Sequence, residues 1–278
     1  MEKTKNFLKM NIALFTSNHL RHKYIATEIA KTLSLKLIIC EEKNEAIQET
    51  SLFIDADAKE LENHFTNRRA SELVFFENCH DFPQDVELVD INYGEINSQK
   101  SLNLLEKSEI DFILLFGTSI IKPIILEKFP FRVINLHLGL SPYYKGSGTN
   151  FFPIFNNEFE SIGATIHLAA DKVDSGAILH QFRPDCICEN DSIHSIGNKV
   201  IQKAGFIFPK IVEQYLLGKI ILHPQKECEI TKEFRLKDFT PYSVRKANEI
   251  IRDGGILDYL KNKAQRLALK PIVSNYEE

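Results

Sequence analysis

The chain is expected to fold as an α/β protein: a Rossmann-like parallel or mixed sheet with helices on both faces, plus a small C-terminal appendage. Three observations lead there. Short apolar runs alternate with amphipathic stretches along most of the sequence, the pattern of strands joined by crossover helices. The 278 residues suffice for one large domain with a small extra region, or for two compact domains. A hydrophobic fraction of 44% and a charged fraction of 26% lie near the globular average, which removes disordered, collagen-like and disulfide-scaffold readings.

The elements follow in order. Residues 11–15 (NIALF) read as a strand, Thr16-Ser17-Asn18 as a turn, and residues 22–33 as a helix with Ile25, Ile29 and Leu33 on one face. Residues 36–40, 86–91, 111–116 and 133–137 each read as a buried strand. In such sheets ligands bind beyond the carboxyl ends of the strands, so the loops after Phe15, Phe116 and His137 are where chemistry is expected. Residues 55–79 read as a helix with His64, Arg68 and Glu72 on one solvated face. Residues 162–167 and 177–183 are strand-like, a long helix runs from Asp191 or Ser192 to about Leu217, and residues 220–223 (IILH) suggest another strand. Helical pieces at 242–252 and 256–267 complete the tail.

The net charge of -4, with basic residues dispersed, gives no general attraction to a polyphosphate, so nucleic acid is not an expected partner. The five cysteines form no C-x-x-C pair, and the N-terminus has no signal-peptide order; a reduced cytoplasmic protein is expected. Cys186-x-Cys188, in a strand-like run, reads as packing. The most apolar run, residues 112–126, is broken by Gly117, Thr118, Ser119, Lys122 and Pro123, so no membrane span is expected. No histidine and cysteine cluster has zinc spacing, and no metal is expected.

The stretch 134–150, INLHLGLSPYYKGSGTN, carries the chemistry. Asn135 and His137 alternate with apolar residues and so share one face of a strand. After them come Pro142, Gly146 and Gly148, then Thr149 and Asn150, expected to open a helix toward an anion. Asp174 sits at a loop tip in D-K-V-D-S-G; beside His137 it would raise the imidazolium pKa toward neutrality. From spacing alone these are either turn residues with a satisfied histidine, or an amide, an imidazole and a carboxylate converging on one crevice.

The ordered set N-x-H, S-P-Y-Y-K-G, I-G-A-T-I-H and V-D-S-G-A-I-L-H-Q resembles the catalytic domain of the folate-dependent formyltransferases, over residues 10–217. That group includes methionyl-tRNA, glycinamide ribonucleotide and nucleotide-sugar N-formyltransferases. The resemblance implies Asn135, His137 and Asp174 as catalytic residues acting on N10-formyltetrahydrofolate. It further implies that Gly117, Thr118, Ser119, Ile120 and Ile121, with Asp171 and Val173, hold the pterin largely through backbone groups.

Three features bear on the acceptor amine. The loop after the first strand lacks the glycines expected for glycinamide ribonucleotide. The roughly fifty residues after Ile220 are too few for a tRNA-binding barrel, and the acidic chain opposes tRNA. The wording NLHLGLSPYYKGSGTNFF, with FGTSIIK before it, looks most like the branch that formylates nucleotide-linked amino sugars for surface polysaccharide. Arg21, His22, Tyr143, Tyr144, Lys145 and Gly146 are then the substrate-binding candidates, with Phe151 and Phe152 beside them. Hydroxyornithine formylation, hydrolysis of the formyl donor and a non-catalytic binding protein are the alternatives. A catalytic domain over residues 1–220, a C-terminal region over 221–278 and a homodimer, the commonest closed assembly, complete the expectation.

Overall fold

The computed structural model describes residues 10–43, 55–225 and 231–276. Its main sheet has seven strands: β1 (Ile12–Thr16), β2 (Leu35–Glu41), β3 (Glu87–Ile91), β4 (Phe112–Leu115), β5 (Val133–His137), β7 (Ala164–Leu168) and β8 (Ile178–Phe182), in the spatial order β3-β2-β1-β4-β5-β7-β8. A short β6 (Tyr144–Gly146) pairs in parallel with β9 (Lys232–Phe234) in a second, two-stranded sheet.

The first five strands run parallel, whereas β7 and β8 are antiparallel additions, so the sheet is mixed. The strand order explains the near-continuous apolar runs: a parallel strand covered on both faces has no wet side. Alternate residues of one strand serve opposite cores. Ile12 and Leu14 join the core on one face, with Leu114, Ile134 and Leu136, while Ala13 and Phe15 join that on the other, with Ile113, Leu115 and Val133. The chain leaves β1 toward β2 and β3, then returns to lay β4 on the other side of β1. That reversal opens a crevice at the carboxyl ends of β1 and β4, with β5 next to it.

The helices are α1 (Leu20–Thr32), α2 (Asp55–Phe76), α3 (Gln99–Lys107), α4 (Pro123–Leu126), α5 (Phe152–Phe155), α6 (Ile193–Leu216), α7 (Pro241–Arg252), α8 (Gly255–Lys261) and α9 (Lys263–Ala268). Helix α6 starts on a Ser192 and Ser195 capping box and buries Ile196, Val200, Ala204, Ile207, Phe208 and Ile211 at helical spacing. Helix α2 is not a solvated bystander. It packs against α1, α6 and α7, which buries His64 and Glu72 on the face that the i,i+4 spacing placed together.

Residues 220–223 do not form a strand; only an isolated bridge joins His223 to Ile178. The described residues after 230 pack across the rest of the molecule. Strand β9 clamps β6, and Arg245 of α7 pairs with Asp57 of α2 at 2.5 Å. The final extended run lies along β8, where Gln181 N–H donates to Val273 O at 2.7 Å. Among the described residues no helix is long and apolar enough to cross a membrane.

Candidate active site

Asn135 and His137 stand on the carboxyl-terminal half of β5, and the register of the antiparallel pair sets His167 of β7 directly opposite Asn135. Asp174, at φ 46°, brings its carboxylate in from the loop between β7 and β8. Its Oδ2 lies 3.3 Å from His137 Nδ1 and accepts the Gly146 N–H at 2.9 Å; its Oδ1 lies 3.4 Å from His167 Nε2 and accepts from Asn135 Nδ2 at 3.4 Å. His137 and Asp174 are almost entirely buried. Spacing left a convergent triad open against separate turn residues; the structure brings the amide, the imidazole and the carboxylate together.

The proton positions follow from the partners. His167 Nδ1 faces the Leu168 carbonyl at 2.7 Å and so carries hydrogen, which leaves Nε2 to accept from Asn135 Nδ2 at 3.0 Å. His167 thereby fixes which way the Asn135 amide points. His137 Nε2 donates to the Tyr144 carbonyl at 3.1 Å. Burial pushes the His137 pKa below its ordinary value, and the Asp174 carboxylate opposes that shift. The upward shift expected from Asp174 is therefore outweighed by desolvation. For Asp174, burial alone would raise the pKa, but the His137 charge, with the Gly146 N–H, holds it well below the usual carboxylate range.

Two glycines are required by close approach. A Cβ at Gly139 would lie 2.5 Å from Thr149 Cβ and 2.6 Å from His137 Nε2; at Gly146, with φ +85°, it would lie 2.2 Å from the Phe234 carbonyl oxygen. These contacts hold the loop after β5 against His137 on one side and β9 on the other.

The loop after β4 is pinned by the buried Glu41 of β2. Glu41 accepts from Ser119 N–H at 2.8 Å, Ser119 Oγ at 2.8 Å, Thr118 Oγ1 at 3.2 Å and Gly94 N–H at 3.0 Å. Ile120 and Val173 of the two expected pterin loops are exposed, as is Asp171, while Ile121 is buried in the core.

A basic cluster flanks the crevice at the start of α1. Arg21 is buried and its Nη1 meets Glu72 Oε1 at 2.5 Å; Arg68 Nε reaches the same oxygen at 3.3 Å. Burial, with Arg68 beside it, lowers the Arg21 pKa to about 9, and burial with Arg21 nearby lowers Lys43 to about 8. Burial and these cations push His19 down to about 4 and His22 well below its ordinary value. Two guanidinium groups share one carboxylate here, and the edge of the crevice is electropositive.

Residues 29–212 match the model of a family described as formyl transferase. The chain belongs to the formyl transferase family. It is 29% identical over 157 residues to the methionyl-tRNA formyltransferase of Halalkalibacterium halodurans, covering 56% of this chain and 47% of that protein. Among solved structures, phosphoribosylglycinamide formyltransferase from Anaplasma phagocytophilum matches with a TM-score of 0.55 and 15% identity, covering 81% of this chain and 98% of that one. A sugar N-formyltransferase from a Shewanella species matches with a TM-score of 0.54 and 19% identity, covering 83% and 78%. At these identities the structural likeness shows the fold. The chain spans 9%, 47% and 41% of the length of three of the curated relatives it matches.

Within this formyl transferase domain the substrate candidates scatter more than their spacing suggested. The Tyr144 ring lies in the core, stacked on Phe234, with its hydroxyl donating to Glu158 Oε2 at 2.7 Å; its contribution to the site is its main-chain carbonyl. Tyr143 donates to the Pro271 carbonyl at 3.0 Å, so the tail occupies its hydroxyl. Lys145 lies close enough to His137 to disfavour its charge. His22 packs beneath Gly117, with its Nδ1 accepting the His19 N–H at 3.2 Å. Phe151 and Phe152 are both buried.

Thr149 and Asn150 do not open an anion site. Thr149 Oγ1 donates to the Leu138 carbonyl, Asn150 Oδ1 accepts the Gly163 N–H at 2.9 Å, and the helix that follows is a single turn. Cys186 and Cys188 lie in a loop and are exposed, the opposite of packing; Cys228 falls outside the described residues. Among the described residues, no group of three or more His, Cys, Asp or Glu is set to hold a metal.

Sequence reasoning missed His167, Glu41 and the pairing of Arg21 with Glu72. His167 was within reach, as the last residue of I-G-A-T-I-H, because a histidine in an otherwise apolar buried strand needs a partner. Glu41 and Glu72 gave no local signal: their partners are as much as 78 and 51 residues away.

Proposed function

We propose that the chain is an N-formyltransferase that moves the formyl group of N10-formyltetrahydrofolate to a primary amine, and that the acceptor is a nucleotide-linked amino sugar. The observation that carries the reading is the Asn135, His137 and Asp174 constellation at the carboxyl end of β5, buried and joined through one carboxylate. The formyl donor suits the crevice because two loops with exposed apolar tips, Ile120 and Val173, flank it, the first of them pinned by Glu41. Their main-chain groups would hold the pterin.

The chemistry asked of the residues is modest. As the amine attacks the formyl carbon, negative charge builds on the formyl oxygen. Asn135 donates to it by giving up the longer of its two amide hydrogen bonds, the one of 3.4 Å to Asp174. His137 turns its Nε2–H from the Tyr144 carbonyl to the same oxygen. One such donor is worth about 2.7 to 4 kcal/mol of barrier. Asp174 offsets the imidazolium charge that desolvation disfavours. The new carbon–nitrogen bond forms as the bond to N10 breaks, and the proton lost by the amine ends on N10.

The acceptor assignment rests on the cations beside the crevice. Arg21, Arg68 and Lys43 carry more positive charge than Glu72 and Glu41 together offset, which suits the phosphates of a nucleotide diphosphate. The test is incubation with N10-formyltetrahydrofolate and dTDP-4-amino-4,6-dideoxyglucose. A product heavier by one formyl group is expected; formylation of hydroxyornithine or free amino acids alone, or formate release at the same rate without acceptor, overturns the reading.

A further inference from the structure

The C-x-C segment belongs to no part of the proposed reaction. It lies between β8 and α6, and Ile187 at its centre is buried in the core, so the flanking side chains both project outward on one side. The sulfurs of Cys186 and Cys188 are 3.6 Å apart. Lys199 of α6 sets its ammonium 3.9 Å from one and 3.7 Å from the other, and is itself held by Asp191 at 2.6 Å. The loop is tied at its end, where the Cys188 N–H donates to Asp191 Oδ2 at 2.7 Å.

We propose that Cys186 and Cys188 are a dithiol that closes reversibly into an intrachain disulfide under a low-molecular-weight disulfide oxidant such as oxidised glutathione. One thiolate attacks a sulfur of the oxidant and expels one glutathione thiolate. The neighbouring thiolate then attacks the protein sulfur of the mixed disulfide, forms the Sγ–Sγ bond and expels the second. The protein gives up two protons and two electrons, and the oxidant takes them up as two thiols.

The geometry favours the second step, because the resolving sulfur already touches its target and only a short movement remains to the bonded separation of about 2 Å. The Lys199 ammonium stabilises either thiolate as it forms. The hydrogen bond between the sulfurs pushes the Cys186 thiol up, so proximity, not acidity, is what drives closure. Cys40 is buried and Cys79 half-buried, and among the described residues neither pairs with another thiol, which makes them internal controls.

The full chain, equilibrated in glutathione buffers, acid-quenched and alkylated, reports this directly. The tryptic peptide 173–199 holds both cysteines and no other. In the wild type it is expected to lose two hydrogens, with labelling about tenfold below that of the Cys40 and Cys79 peptides. Cys186→Ser and Cys188→Ser should instead keep one glutathione each, having no neighbour to resolve the adduct, and both should melt within about 1 °C of the wild type. Full double alkylation of wild type in excess oxidised glutathione, a stable glutathione adduct on it, or a cross-link to the Cys228 peptide overturns the proposal.

Discussion

Replacing Glu72 with Gln probes the electropositive edge of the crevice without needing the acceptor. The change keeps the side chain's shape and removes the one carboxylate that Arg21 and Arg68 share. Arg21 and Glu72 are each about nine-tenths buried, so Arg21 is left as an uncompensated buried charge, at a cost of about 3–5 kcal/mol. The Arg68 arm is 40% exposed and adds little. At roughly 2 °C per kcal/mol for a chain of this size, the melting temperature should fall by about 6–10 °C in calorimetry. Because the lost charge was an anion, inorganic phosphate or pyrophosphate should restore more of the melting temperature in Glu72→Gln than in wild type. A drop under about 2 °C, or equal phosphate responses, would refute the idea that this cluster is short of negative charge.

Three further outcomes are expected. Asp174→Asn removes the main force opposing the desolvation of His137; with Asp174 Oδ2 3.3 Å from His137 Nδ1 that is about 5 kcal/mol at an effective dielectric of 20, so kcat should fall by about a thousandfold or more at pH 7.5. The residual activity should recover toward acid pH, as the lower His137 pKa demands, and a change confined to KM contradicts this. Gly146→Ala forces a side chain into the left-handed region at a cost of about 1–2 kcal/mol and against the Phe234 carbonyl, displacing the N–H that Asp174 accepts; kcat should drop tenfold or more in a folded protein, and wild-type turnover would show that the clamp is idle. Burial, then His194 and Arg68, lowers the His64 pKa to about 3. The unfolded chain, titrating near 6.5, therefore binds more protons between those values, and stability is lost as pH falls below about 6.5. The loss is about 2 kcal/mol from His64 by pH 5, and melts that do not change between pH 5 and 7.5 rule this out.

What was legible in the sequence was local. Strands β1, β2 and β5 and helix α6 announced themselves because a strand covered on both faces is apolar throughout and a long helix repeats its buried face. The convergence of Asn135, His137 and Asp174 was legible because these residues lie in compact motifs. Strands β7 and β8 were legible as strands, but their antiparallel direction was not, since an apolar run carries no mark of its direction. The roles of Glu41 and Glu72 were hidden for a related reason: a carboxylate looks solvated until the fold brings its donors from distant segments. Tyr144 misled, because an aromatic in a polar loop serves equally as a ligand surface or, as here, as a buried anchor whose carbonyl meets His137. Cys186 and Cys188 misled in the opposite sense, since the alternation buried Ile187 and left the sulfurs outside.

The central claim is that Asn135, His137 and Asp174 transfer a formyl group to the amine of a nucleotide-linked sugar. The most direct measurement is a mass-spectrometric screen of nucleotide-linked amino sugars with N10-formyltetrahydrofolate, run with the wild type and with His137→Ala. The account predicts one formylated nucleotide sugar with the wild type and none with a folded His137→Ala variant. Equal product from both proteins, or no formylated nucleotide sugar from an intact wild type, would contradict it.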